Sequence, residues 1–320
     1  MSPHAIDAAT LRLGEPDHEL AAIVALLRAA VVPSYRLATL IDFFSSAVKL
    51  VQLSESDRLF APPNAWDAVV GAVTPEDLGR AMQDVTEWRD HEYDIRTILD
   101  PTYPESLRDI FDRPPLLFVL GKWIEELDSR SVAVVGTRRA TKEGLNRAAR
   151  LSRELVEARY TVLSGLALGI DAVAHTAALD AGGRTVAVMG TGLDYRYPAA
   201  NRVLSERIVE AGGALISEFF PHQHPARWTF PMRNVVMSGL SLATAVVEAS
   251  STSGARMQAR IALQHGRTVF LLRSLVARHK WAKKYVTEGA YGIKAIEVSS
   301  TREIVERLEG NGVADVPLAV

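Results

Sequence analysis

The chain has 320 residues, no cysteine and a formal net charge of −2, enough length to bury one large α/β core beside a smaller one. Without cysteine there are no disulfides, no cysteine-zinc sites and no thiol chemistry. The small net charge conceals a segregation: residues 1–130 carry 12 Lys+Arg against 22 Asp+Glu, and residues 131–298 carry 22 against 12, which suits a polyanion partner for the second part or attraction between two domains.

The N-terminus, "MSPHAIDAATLRLGEPDHEL", is acidic rather than a basic stretch followed by an apolar one, and no apolar run reaches the roughly 18 to 20 residues that cross a bilayer. A cytoplasmic, soluble protein with no membrane partner is the expectation. The eight histidines show no HxxxH or HExxH spacing, so neither a metal nor a cofactor is expected.

From Glu19 to about Leu53 the apolar spacing is helical: "ELAAIVALLRAAVV", a break and cap at Pro33 and Ser34, then "YRLATLIDFFSSAVKLVQL". "TPEDLGRAMQDVTEWRDHEYD" predicts a further helix with Thr74 as N-cap, Pro75 at the first helical position and acids in the first turn. Residues 1–90 thus read as a small all-helical module. Residues 91–130 read as a proline-punctuated connector ending in a buried strand, Leu116 to Leu120, with the boundary near Asp128 to Ser131.

After that the periodicity changes. Short β-branched runs, "VAVVG", "TVLSG", "TVAVMG", "GALISEF", "LATAVVEAS" and "TVFLL", alternate with helical stretches such as "GLNRAARLSRELVEARY" and "IDAVAHTAALDAGG". Continuous apolar strands separated by helices predict a mostly parallel, doubly wound α/β domain over 131–310. "IEVSSTREIVERLEGNG" closes it with a strand and a helix capped by Ser299 or Ser300, and 311–320 is an apolar tail.

In such sheets ligands bind beyond the carboxyl ends of the strands, near the reversal of strand order. Four loops there are rich in glycine and small polar residues: "GTRRATKEG", "SGLALGID", "GTGLDYRYPAANR" and "EASSTSGARMQA". Glycine lets backbone N–H groups approach an anion, and the following helix N-terminus adds partial positive charge. The first loop is not the GxGxxG dinucleotide fingerprint; it offers Arg138, Arg139 and Lys142 instead. "GARMQARIALQHGR" is either one wall of an anion site, with Ser253 and Gly254 at its opening, or an ordinary strand-to-helix turn with Arg256 and Arg260 on one face.

Other candidates keep two readings. Asp171 either caps its own helix or serves the site. Trp228, Phe230 and Arg233 combine aromatic faces with a cation, which suits stacked bases and phosphate of a single strand, or are core plus one surface charge. Ser164 lacks the GxSxG setting of a nucleophile, and His175 lies on an apolar helix where a packed histidine is the simpler reading. Glu248 either grips a ribose hydroxyl or accepts N–H bonds from the Ser250 to Ser253 loop. No catalytic constellation emerges.

Together, "DPTYPESLRDIFDRPPLLFVLGK", "VAVVGTRRATKEG", "SGLALGIDAVAHTAALDAGGRTVAVMGTGLDYRYPAANRVL", "GALISEFFP", "FPMRN" and "GLSLATAVVEASSTSGARMQARIALQHGRTVF" resemble the DNA-processing protein A family (DprA, also Smf) in order and spacing, over about residues 95–272. The resemblance implies an extended Rossmann-like fold that binds single-stranded DNA, dimerises and loads the RecA recombinase in natural transformation, without ordinary enzymatic activity. It also implies a sterile-alpha-motif or helix-hairpin-helix type for the segment near 20–53, and no counterpart here of the C-terminal winged helix of many members. Carried over by position, the phosphate and nucleic-acid contacts are Gly136, Thr137, Arg138, Ser164, Gly165, Gly190, Gly192, Phe230, Arg233, Asn234, Ser253 and Gly254; the residues themselves add Arg139, with Lys142, Trp228, Arg256 and Lys283 as secondary contacts. Arg138 and Arg233 are expected to be the main phosphate contacts.

Two positions depart from the family: Leu168 and Val235 stand where arginine is common. The cations Arg273, Arg278, Lys280, Lys283 and Lys284 replace a glycine-rich stretch. An alternative is a Rossmann-like nucleotide sensor or a relative of phosphoribohydrolases, although "SSTSGARMQA" lacks the PGGxGTxxE motif of those enzymes.

Overall fold

The computed structural model describes residues 6–54, 69–91 and 93–310; the expected tail at 311–320 and residues 55–68 of the helical module lie outside them. The chain divides into two compact units, Met1–Phe118 and Val119–Val320. The segment read as a connector contributes to both.

The first unit holds helices α1 (Pro16–Ala29), α2 (Ser34–Phe44), α3 (Ala47–Gln52) and α4 (Pro75–Asp90), strand β1 (Tyr93–Thr97), a short α5 (Glu105–Arg108) and the beginning of β2 (Leu116–Gly121). Helix α1 buries Leu20 to Leu26 and packs on α3 and α4. The run predicted as one helix after Pro33 is two helices. Ser45 takes a left-handed conformation at φ 54 and Ser46 becomes a new N-cap that accepts from the Lys49 N–H at 3.0 Å. The buried carboxylate of Glu19 makes the break stable by accepting from Ser46 Oγ at 2.6 Å and the Ala47 N–H at 2.7 Å.

Ser34 is not a cap. Pro33, extended at φ −57 and ψ 146, occupies the N-cap position, so the helix begins directly after it and the Ser34 hydroxyl is one residue too late. Thr74 does cap α4: its Oγ accepts from the Asp77 N–H at 3.2 Å, while the Asp77 carboxylate accepts from the Thr74 N–H at 2.9 Å. The Thr74 hydroxyl, donating to the Asp77 carboxylate at 2.6 Å, and then the Thr74 N–H hold the Asp77 carboxyl down at about 2.

The second unit contains α6 (Glu125–Asp128), β3 (Ser131–Val135), α7 (Lys142–Glu157), β4 (Thr161–Ser164), α8 (Ile170–Asp180), β5 (Thr185–Val188), α9 (Arg202–Glu210) and β6 (Ala214–Ser217). Then follow α10 (Thr229–Leu240), β7 (Ala243–Val246), α11 (Gly254–Gln264), β8 (Thr268–Leu272), α12 (Arg273–Arg278), α13 (Lys280–Thr287), β9 (Ile296–Val298) and α14 (Thr301–Gly310). Its strands run parallel in the order β6-β5-β4-β3-β7-β8-β9. The chain builds outward from β3 to β6, crosses back beside β3 with β7, and then builds outward the other way. Strand order therefore reverses between β3 and β7, as a doubly wound sheet requires.

Both faces of these strands are covered, which is why they read as unbroken apolar runs. Val132, Val134 and Val162 pack with Leu151, Leu155, Ala174 and Ala178 of α7 and α8 and with Ile304 of α14. Helices α10 and α11 pack on each other, α10 also on β3 and β5 and α11 on β7 and β8. Ser300, not Ser299, caps α14: its Oγ accepts from the Glu303 N–H at 3.3 Å. Among the described residues no helix is long and apolar enough to cross a membrane.

Candidate functional site

At the carboxyl ends of β3 and β7, where the strand order reverses, lies a cleft of about 400 Å³. Nine of the expected contacts line it: Gly136, Thr137, Arg138 and Arg139 after β3, Phe230, Arg233 and Asn234 on α10, and Ser253 and Gly254 at the start of α11. A smaller adjoining hollow of about 50 Å³ gathers Gly165, Gly190 and Leu168 around Arg138, Phe230 and Arg233. Four loops separated by up to about 120 residues in sequence meet here because each follows a parallel strand, and parallel strands end on the same edge.

The loops are held close by backbone that only glycine tolerates. Gly169 has φ +82, and a Cβ there would stand 2.5 Å from the Thr137 carbonyl oxygen. At Gly165 a Cβ would stand 1.7 Å from the Arg233 guanidinium, so the absent side chain is the space that the arginine occupies.

Several backbone donors expected to face a ligand are already satisfied by two carboxylates. Asp171 does not cap its own helix, whose N-cap is Gly169 with no side-chain bond. It reaches across to accept from the Gly136 N–H at 3.4 Å and the Gly165 N–H at 3.2 Å. Burial pushes the Asp171 carboxyl up, against the charge of Arg233 and the N–H groups of Gly136, Ala167 and Gly165. Among the described residues no hydrogen bond joins the Glu248 carboxylate to the Ser250 to Ser253 loop. Glu248 accepts from the Thr141 hydroxyl at 2.9 Å and lies over the first turn of α7, where the helix dipole favours an anion.

The opening of α11 differs from that of α7. Ser253 caps it through the Ala255 N–H at 3.2 Å, and no carboxylate among the described residues bonds its first turn. Nothing lies within 4 Å of where a Gly254 Cβ would stand. This opening therefore combines the positive end of a helix dipole with open space at Gly254.

The cations divide into two kinds. Arg233 is buried, and its guanidinium donates to the Gly165 carbonyl at 2.7 Å, the Val188 carbonyl at 2.9 Å and Asn234 Oδ1 at 3.0 Å. It braces the ends of β4 and β5 more than it reaches outward, and Asn234 Oδ1 is committed to it. Arg138 is exposed, has no carboxylate partner among the described residues and lies 5.4 Å over the Phe230 ring. Arg139 is likewise exposed and unpaired. Arg138 is therefore the side chain best placed to meet a phosphate.

His175 is fully buried beneath the site. The Thr185 hydroxyl donates to the Val162 carbonyl at 2.6 Å, so it accepts from His175 Nδ1 at 2.7 Å and leaves Nε2 as a bare lone pair. Burial first and the Arg233 charge second depress this imidazole to about 3, which settles it as a packed neutral histidine.

The remaining expected contacts lie away from the cleft. Ser164 is fully buried and donates to the Val134 carbonyl at 2.6 Å; the end of a central strand leaves its hydroxyl no route to a ligand. Gly192 is buried and its N–H donates to the Gln223 carbonyl at 2.9 Å. Lys142 is exposed on the first turn of α7. Trp228 is 54% exposed, edge-on to Phe219, and so offers a free aromatic face beside the loops. Arg256 donates to the Ser251 carbonyl at 2.7 Å and sits 5.9 Å over Trp281 at the start of α13. This links the cleft helix to the exposed cations Lys280 and Lys283, neither with an ion partner among the described residues.

Gln258 was not among the expected residues, yet it lines the cleft. The signal was available: it stands four residues after Gly254, on the same helical face.

The sequence pattern of the DNA recombination-mediator protein A family matches residues 94–308. Protein Smf of Synechocystis is 44% identical over 177 residues, 54% of this chain and 44% of that protein. Alignments with seven curated relatives span 40% to 61% of those proteins' own length. Among solved structures, DNA processing protein A of Streptococcus pneumoniae superposes with a TM-score of 0.66 at 29% identity, covering 88% of this chain and 95% of that one. The protein of the same name from Helicobacter pylori, whose structure is described for its single-stranded DNA binding mode, gives 0.59 at 25% identity, covering 68% and 97%.

Proposed function

The chain belongs to the DNA recombination-mediator protein A family, and from that premise we propose that it binds single-stranded DNA at the cleft between the ends of β3 and β7. One observation carries the reading: Arg138, exposed and without a carboxylate partner among the described residues, and the opening of α11, which no described carboxylate bonds, line the same cleft. A phosphate set between them meets a cation on one side and a helix N-terminus on the other.

The strand's bases have an aromatic neighbour in Phe230 and a second, more exposed one in Trp228. Stacking of that kind is tolerant of sequence. Beyond DNA binding, the reading extends to a cytoplasmic homodimer that protects processed or incoming single strands and assists RecA loading in transformation or recombination. Family membership supports this extension. Leu168, 44% exposed at the rim, and Val235 put apolar side chains where a cation would strengthen the grip.

A second reading, a free nucleotide as the ligand, is favoured by the size of the cleft, which falls in the roughly 300–1,000 Å³ range of small-ligand sites. A fluorescence-anisotropy competition separates the two. Labelled single strands displaced by unlabelled single strands, but poorly by duplex or mononucleotides, are the expected result. Tight mononucleotide binding with no oligonucleotide binding would replace the first reading with the second.

A further inference from the structure

Gln258 is 1% exposed, lines the cleft, and neither its Nε2 nor its Oε1 has a hydrogen-bond partner. A buried amide with both ends unmade is costly, and the cleft that Gln258 lines is where a ligand could supply the missing partners. We propose that Gln258 reads the hydrogen-bonding edge of one nucleobase of the bound strand, seated in the cleft; the inference rests on the single-stranded DNA reading above.

The chemistry of the amide selects a base over a phosphate. A phosphate offers acceptors only, so it would satisfy Nε2 and leave Oε1 orphaned. A base edge presents a donor and an acceptor side by side, the pattern that a carboxamide pairs with in a bidentate contact.

The surroundings agree with that division. The opening of α11 at Ser253 and Gly254, suited to an anion, lies one helical turn before Gln258, so phosphate and base of one nucleotide are served by successive turns of one helix. Met237 and Phe230 line the same cleft and supply apolar surface for the base plane. Helices α10 and α11 pack together and carry all of these groups except the N-cap, so the base-reading wall is built from rigid elements rather than loops.

The test compares wild type with Gln258→Leu and with Gln258→Met, which keeps the length of the side chain. Each is titrated by anisotropy against a short labelled single strand and against an abasic strand of the same length and charge, with tetrahydrofuran spacers in place of nucleosides. The expected result is an affinity loss of about tenfold on the intact strand and none on the abasic strand, with a melting temperature in the absence of DNA equal to or above that of wild type. An equal loss on both strands, or no loss on the intact one, overturns the proposal. A lower melting temperature in both variants, with intact-strand affinity kept, would assign Gln258 a structural bond instead. If wild type bound neither strand, the single-stranded DNA reading itself would fall, and this inference with it.

Discussion

Burial holds His175 as a neutral imidazole down to about pH 3, whereas an unfolded chain protonates the same ring near 6.5. Between those values the unfolded state binds the extra proton. The stability that His175 contributes is therefore fully present above about pH 6.5 and is lost as pH falls from there toward 3. Asp171, with its carboxyl pushed up, acts in the opposite sense, so a variant isolates the imidazole better than the wild-type curve alone. His175→Gln is expected to flatten the fall in melting temperature between pH 6.5 and 4; a curve parallel to wild type would show that the ring is protonated in the folded protein. Gly254 makes a second prediction at this scale. With open space at its Cβ position and better helix propensity for alanine, Gly254→Ala should melt at or above the wild-type temperature while binding single strands severalfold more weakly, as measured by anisotropy. The placement of Arg138, Ser253 and Gly254 at one edge was legible in the sequence because each lies in a loop or helix opening between an apolar strand run and the next helix. The partners of Asp171 and Glu248 were not, since each carboxylate bonds a loop that sequence separation conceals.

At the level of elements, loops on one edge of the sheet form the cleft and those on the other edge are tied together by a buried ion pair. On the opposite edge from the cleft, Asp128 at the end of α6 is fully buried and takes a bidentate bond from Arg184, with Nε at 2.6 Å from Oδ1 and Nη2 at 2.6 Å from Oδ2. Arg184 also donates to the carbonyls of Lys122 and Gly212, and Asp128 accepts from the Ile124 N–H at 2.8 Å. One ion pair thereby ties α6 to the starts of β5 and β6. Arg184→Ala leaves a buried carboxylate uncompensated, and denaturant unfolding should show a loss of about 3 to 5 kcal/mol; a loss under 1 kcal/mol would mean that the pair is dispensable. Helices were readable here from their period of 3.6, and strands from short unbroken β-branched runs. The break at Ser45 was not, because it depends on Glu19, a residue of another helix, bonding the start of α3.

For the molecule as a whole, charge follows the division of the chain. Residues 1–118 carry 10 Lys+Arg against 19 Asp+Glu, and residues 119–320 carry 26 against 19. The fold places exposed cations with no ion partner among the described residues at the cleft, Arg138 and Arg139, and on α12 and α13, Arg278, Lys280 and Lys283. A polyanion bound across such a surface releases counterions, so its affinity must fall as salt rises. The most direct test of DNA binding at the cleft is the slope of log affinity against log salt for a labelled single strand, measured for wild type and Arg138→Ala. The account predicts a negative wild-type slope, weaker binding by the variant and a slope shallower by about 0.7, one single-strand phosphate's worth, with an unchanged melting temperature. The same affinity and slope in both proteins, or no wild-type binding at low salt, would contradict it.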